Sequence, residues 1–222
     1  GVEALVRIHP AEDLWSGIRE LVRAYGYGPL TPNTVLIGAP EKAEAAREFA
    51  RLVALVARTR RNLVIVRGSD ETLLRASAVP RIDIWWRGRA PNVAFMLAIA
   101  CLVRRSPGWS GARMTLRHVV EKEEARDDAQ KALVLFLAEA RVKAEIEILV
   151  AGDGPILSRI VESSRDASLV FLGLRRPAEG ESDEAYAAYY QGLLAATAGL
   201  QLTILAMAAA AVDFQGLFER TS

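Results

Sequence analysis

The chain has 222 residues, 51% of them hydrophobic and 25% charged, a balance that fits a packed globular core and excludes a disordered segment. Its 28 basic and 27 acidic residues leave a net charge of +1, so no overall field exists to hold nucleic acid, and no nucleic-acid partner is expected. The lone cysteine, Cys101, lies in the apolar run Phe95 to Val103; it excludes an intrachain disulfide and reads as a small buried hydrophobe of a reducing compartment.

Along the chain, short apolar, β-branched runs alternate with longer segments of helical period. This is the pattern of βαβ units feeding a mainly parallel sheet with helices on both faces, an α/β fold. A first strand is expected over Glu3 to Ile8, followed by a helix over Asp13 to Tyr25 and the turn-rich stretch YGYGPLTPN at Tyr25 to Asn33. A second strand, Thr34 to Ile37, leads into a helix over Ala43 to Arg58. In that helix Phe49, Leu52, Val53 and Val56 recur at three- and four-residue steps, with Glu44, Arg47, Glu48 and Arg51 largely opposite, so it lies on a sheet. Its end carries Arg58, Arg60 and Arg61, cations that suit the negative end of a helix dipole. Strand Leu63 to Val66 is apolar without alternation, as expected of a central strand covered on both faces. The longest irregular stretch, Gly68 to Pro80, separates a first α/β half, residues 1–80, from a longer half, residues 81–222, that repeats the alternation without repeating the sequence.

The second half opens with strand Ile82 to Trp86, in which Trp85 and Trp86 must point to opposite faces. A helix over Asn92 to Arg104 follows, with Asn92 placed after Pro91 as its cap. Next come strand Met114 to Val119, a helix over Glu123 to Ala140, strand Glu145 to Val150, helix Ile156 to Ser163 and strand Leu169 to Leu172. A helix over Asp183 to Ala198 and strand Leu202 to Met207 close the pattern, the eighth strand in all. The charge-free run Leu193 to Val212 has the length of a membrane span. Gly199, Gln201 and the polar helix leading into the run favour a helix end, a stop at Gly199 and a core strand. No basic-then-apolar leader follows Gly1, so no secretory signal is expected; the first residue is not Met, and the chain reads as a piece of something longer.

Chemistry-bearing patterns are sparse. Neither His9 nor His118 has a second His or Cys at helical or hairpin spacing, so no metal site is expected. The turn GDGP at Gly152 follows a strand and opens a helix, but lacks both GxxxxGK[ST] and GxGxxG and reads as an ordinary strand-to-helix turn. Glu121, Glu123, Glu124, Asp127 and Asp128 sit where a helix begins, favouring its dipole and facing solvent. There is no G-x-S-x-G elbow and no histidine partner for Cys101. Accordingly no catalytic, cofactor-binding or metal residue is assigned, no cofactor is expected, and the chain is not expected to be an enzyme.

Four stretches carry a family resemblance: LVRAYGYGPLTPNTVLIGAPE from Leu21, NLVIVRG from Asn62, IDIWW from Ile82 with the helix and SPGW that follow, and SRDASLVFLGLRRP from Ser164. Together they make the chain, from Leu21 to about Met207, resemble the cytoplasmic C-terminal domain of cation-chloride cotransporters, in particular prokaryotic relatives. The second half is also similar to the universal stress protein fold, and two related, Rossmann-like halves of that kind are expected. The resemblance implies a regulatory and dimerisation domain on the cytoplasmic side of the membrane, partnered by a second copy and by the transporter's own transmembrane domain. A dimer contact is expected at Tyr186, Tyr189 and Tyr190 with Phe214, Leu217 and Phe218 of the tail. The alternative is a stand-alone stress protein that binds ATP through an aspartate after its first strand and a G-x2-G-x9-G-[ST] loop after its fourth. Here Asp83 lies inside the strand and LRRPAEGESDEAYAAYYQG, which follows Gly173, lacks that spacing.

Overall fold

The computed structural model describes residues 6, 8–25, 32–40, 42–68, 79–86, 90–152 and 154–210. They form six α-helices and seven strands: α1 (Leu14–Ala24), β1 (Thr34–Gly38), α2 (Ala46–Arg58), β2 (Asn62–Arg67), β3 (Arg81–Trp86), α3 (Ala90–Arg104), β4 (Arg113–Val120), α4 (Arg126–Glu139), β5 (Glu145–Val150), α5 (Ile156–Ser163), β6 (Leu169–Gly173), α6 (Asp183–Ala196) and β7 (Thr203–Met207). Short 3-10 turns, Ala43–Ala45 and Glu123–Ala125, lead into α2 and α4.

One sheet holds all seven strands, in the order β1-β2-β7-β6-β3-β4-β5. Every neighbouring pair is parallel except β2 with β7, whose antiparallel register sets Leu63 against Met207 and Arg67 against Thr203. Segments 1–80 and 81–222 therefore share one sheet and meet along this seam. Apolar runs lie where both faces are covered. In β2, Leu63 and Ile65 enter one core with α2 and α6, while Val64 enters the other with α3. The face bearing α1, α2, α5 and α6 is anchored by Phe49, Leu52, Val53 and Val56, all fully buried as their helical spacing requires. On the opposite face α3 and α4 contribute Met96, Leu97, Leu133 and Leu137. Trp85 and Trp86 divide between these two cores, and Trp86 stacks near Phe136, 5.1 Å between ring centroids.

Three expectations change. The segment Glu3 to Ile8 falls largely outside the described residues, and its described members, Val6 and Ile8, are exposed and belong to no strand. Helix α3 begins at Ala90, so Asn92 lies inside the first turn instead of capping it. Helix α6 ends at Ala196, before Gly199: Thr197 Oγ1 donates to Leu193 O at 2.7 Å, and the Arg67 guanidinium donates to Leu194 O at 2.8 Å. A side-chain hydroxyl and a cation thus take the last carbonyls that a glycine cap would have served. The Leu193 to Val212 run is otherwise divided as expected, into helix end and buried strand, its last two residues lying outside the described ones. Among the described residues no helix is long and apolar enough to cross a membrane.

Candidate functional site

In a doubly wound sheet, ligands bind outside the carboxyl ends of the strands where the strand order reverses. Here α3 carries the chain from β3 to β4 on one side, while β6 lies on the other, so the switch point falls between Trp86 and Gly173. The residues there meet one another. Asn92 of α3 donates through Nδ2 to Leu174 O at 3.0 Å and accepts at Oδ1 from Ala208 N at 2.8 Å, joining the ends of β6 and β7. Gly173 is packed beneath it: a Cβ on that residue would stand 3.3 Å from Asn92 Nδ2.

The segment after β6, where a nucleotide-binding fold places its phosphate loop, is clamped by its own charges. Arg175 donates to both carboxylate oxygens of Glu181, at 2.6 and 2.5 Å, in a fork-to-fork pair. Its guanidinium also lies over the Tyr189 ring, 4.0 Å from the centroid, and 5.0 Å from that of Tyr186. The Arg175 side chain, with an amide from Ala178, holds the Glu181 carboxyl well below its ordinary range, at about 2. Tyr186 Oη donates to Arg175 O at 2.7 Å, and burial pushes that phenol far up. What remains is a cleft of about 230 Å³ lined by Trp85, Leu172, Gly173 and Tyr189, smaller than ligand pockets of roughly 300–1,000 Å³. A larger trough, about 800 Å³, lies at the opposite end, beside the amino ends of β4 and β5, away from the switch point.

Beneath α5 the sheet buries a second polar cluster. Asp83 of β3 is wholly inaccessible and accepts from Ser164 Oγ at 2.8 Å, which in turn accepts from Trp85 Nε1 at 2.9 Å. Arg117 Nε lies 3.0 Å from Asp83 Oδ2, Arg81 Nε 3.2 Å from Oδ1, and Arg117 Nη2 reaches Glu147 at 2.9 Å. Register explains the meeting: Trp85 sits opposite Arg117, and Arg117 opposite Glu147, so alternate residues of three strands share one face. Sequence reading placed Asp83 inside its strand but missed its partners. The available signal was two charges, Asp83 and Arg117, at inward positions of strands that must be buried.

The remaining singled-out residues do not converge. His9 pairs with Glu20 on the surface, and His118 Nδ1 contacts Trp86 O at 3.0 Å. Among the described residues no group of three or more His, Cys, Asp or Glu is arranged to hold a metal ion. Glu121, Glu123, Glu124, Asp127 and Asp128 are exposed; Glu123 pairs with Arg126 and Asp128 with Lys131. Gly152 carries the Arg159 guanidinium close against it, and Asp153 of the same turn lies outside the described residues. Of the residues expected at a dimer contact, Tyr186 and Tyr190 are instead each 1% exposed in the chain's own core, Tyr190 lying against Phe49 at 4.5 Å between centroids, while Tyr189 is half-buried. Phe214, Leu217 and Phe218 lie outside the described residues.

The β5-β4-β3-β6-β7 order with helices on both faces defines an α/β domain whose fold is similar to that of universal stress proteins. It aligns with a universal stress protein from Archaeoglobus fulgidus at a TM-score of 0.51 and 13% identity, over 78% of this chain and 60% of that one. The chain is matched more fully by the cytoplasmic domain of a prokaryotic cation chloride cotransporter, with a TM-score of 0.62 and 16% identity over 93% of this chain and 74% of that chain. In sequence it is 26% identical over 153 residues to potassium/chloride cotransporter 3 of Caenorhabditis elegans, a match covering 67% of this chain and 14% of that protein. The chain thus spans a small part of the curated relative. No family model matches it.

Proposed function

We propose that this chain is the cytoplasmic regulatory and dimerisation domain of a membrane cation-chloride cotransporter. The observation that carries the reading is the fold match to a prokaryotic cotransporter's cytoplasmic domain over 93% of the chain, with the nematode cotransporter's sequence similarity beside it. Its partners are a second copy of itself and the transporter's own transmembrane domain, on the cytoplasmic side of the membrane. The domain works as a binding and coupling module and not as an enzyme. That reading accords with a switch point filled by Asn92 and with an Arg175 already paired to Glu181.

The test is cation-dependent chloride uptake by membrane vesicles carrying the full-length transporter, or the same protein with the segment encoding this chain deleted. Deletion is expected to leave membrane insertion intact and change the uptake rate; an unchanged rate would overturn the regulatory role. Sedimentation of the chain tests the pairing: a dimer at micromolar concentration is expected, and a monomer throughout refutes self-association. Because Tyr186 and Tyr190 are buried, changing them would report on folding and not on that contact.

A further inference from the structure

Between α1 and the edge strand β1 runs a groove of about 620 Å³. Helix α1 packs on α2, so Trp15, Ile18 and Val22 line one wall while Val35 and Ile37 line the other. Large apolar side chains also stand open here, Leu14 at 71% and Leu36 at 70% exposure. Arg61 is the single charged residue in this lining. It is only 9% exposed, and although its backbone amide donates to Val56 O at 3.2 Å, its guanidinium makes no hydrogen bond or ion pair with any described residue. A guanidinium set in an apolar lining without a carboxylate beside it is open to an anion arriving there.

The chain itself arrives at this place. After β7, Ala209 N donates to Asn62 Oδ1 at 2.7 Å, and Asn62 is the neighbour of Arg61. Asn62 N also donates to Asn33 O at 2.7 Å, beside the start of β1. The sequence then continues from Ala211 through VDFQGLF at 212–218 to Ser222. Asp213 comes three residues after the last described one, close enough at about 3.5 Å per residue to reach Arg61. Phe214, Leu217 and Phe218 supply the apolar bulk that follows it. Five residues of β1 extend about 17 Å, and seven residues of extended chain cover about 24 Å, so the segment is long enough to follow the groove. The described residues at the other terminus do not fill it, since Val6 and Ile8 are 83% and 91% exposed.

We propose that residues 212–218 dock in the groove between α1 and β1 of their own chain, with the Asp213 carboxylate against the Arg61 guanidinium and Phe214 and Phe218 on the apolar walls. This contact does not depend on the transporter reading and survives its failure.

Hydrogen exchange on the full 222-residue chain tests it. Phe214→Asp with Phe218→Asp should speed exchange of amides in residues 14–22 and 34–38 by about tenfold and leave those of α3 and β6 unchanged. Arg61→Glu and Asp213→Arg should each do the same, and the two together should restore the parental rates. The tail substitutions lie outside the cores described above, so the circular dichroism spectrum should stay folded even where Arg61→Glu disturbs its surroundings. A second measurement pairs Ile18→Cys with Phe214→Cys in a Cys101→Ala background under mild oxidation. Loss of both free thiols at monomer mass is the expected result. A cross-linked dimer would place the tail on a second copy and overturn the proposal, as would exchange unaltered by the Phe214 and Phe218 changes.

Discussion

Arg117 Nε lies 3.0 Å from Asp83 Oδ2, and both side chains are withdrawn from solvent on one face of the sheet. The contact is electrostatic more than directional: Arg117 Nε, Arg117 Nη1 and Asp83 Oδ1 all lack an aligned hydrogen-bond partner. Removing the carboxylate would leave the buried Arg117 with the partly exposed Glu147 as its one remaining carboxylate, beside the Trp85 ring, and Arg81 with the Ser163 carbonyl. Asp83→Ala is therefore expected to destabilise the chain by about 3–5 kcal/mol, measured by urea denaturation. Asp83→Leu combined with Arg117→Met should recover most of that loss, because neither charge then remains to be compensated. A single Asp83→Ala variant as stable as the parent would show that the pair contributes nothing.

Asn92 makes a different kind of contact, with both ends of one amide used at once. Asn92→Ala leaves Leu174 O and Ala208 N without that partner and is expected to cost about 1–3 kcal/mol. Asn92→Asp is nearly the same size but sets an acceptor against the Leu174 carbonyl, so it should cost at least as much. Equal stability of the aspartate variant and the parent in thermal melts would refute the assigned amide orientation.

The contrast between these residues and the helices shows what a sequence can reveal. Phe49, Leu52, Val53 and Val56 were legible because burial of one helix face follows from a local period. The apolar runs of β2 and β6 announced central strands for the same reason. Asn92 was misread because capping is judged from the next few residues, whereas its partners, Leu174 and Ala208, are 82 and 116 positions away. Tyr186 and Tyr190 of α6 were misplaced for a related reason. Aromatic residues near a chain end look surplus until the crossing of α6 over α2 sets Tyr190 on Phe49. Asp83 and Arg117 needed the strand register, which no local pattern supplies.

Glu181 gives a pH dependence with a definite sign. Its carboxyl is held at about 2, against an ordinary 4.5, by the Arg175 side chain first and the Ala178 amide second. A lowered folded-state value means the contribution to stability is fully present above about 4.5 and is lost as the pH falls through about 2. Glu181→Gln should accordingly be less stable than the parent near neutrality, with the difference shrinking as the pH drops through that window. Denaturation midpoints of both proteins measured down the pH scale check this. A difference that stays constant, or grows, on acidification would show that the pairing with Arg175 is not its source.

Nucleotide is expected not to bind at the switch point, and the reason is geometric. A phosphate there needs backbone amides free to converge and a cation free to turn toward them. After β6 the chain instead runs through Leu174, whose carbonyl is taken by Asn92, to Arg175, which is paired with Glu181 and stacked on Tyr189. Arg176 is committed as well, donating to Ala208 O at 2.6 Å. The one glycine of the loop with left-handed backbone, Gly180 at φ 75°, sits beside the clamp and not beside Gly173. Calorimetric titration of ATP into the concentrated chain should give no saturable heat. Glu181→Gln, which frees Arg175, should leave the titration flat, because Asn92 still closes the strand ends. Stoichiometric, micromolar ATP binding by the parent would overturn this prediction and would favour the stand-alone stress-protein alternative over a transporter domain.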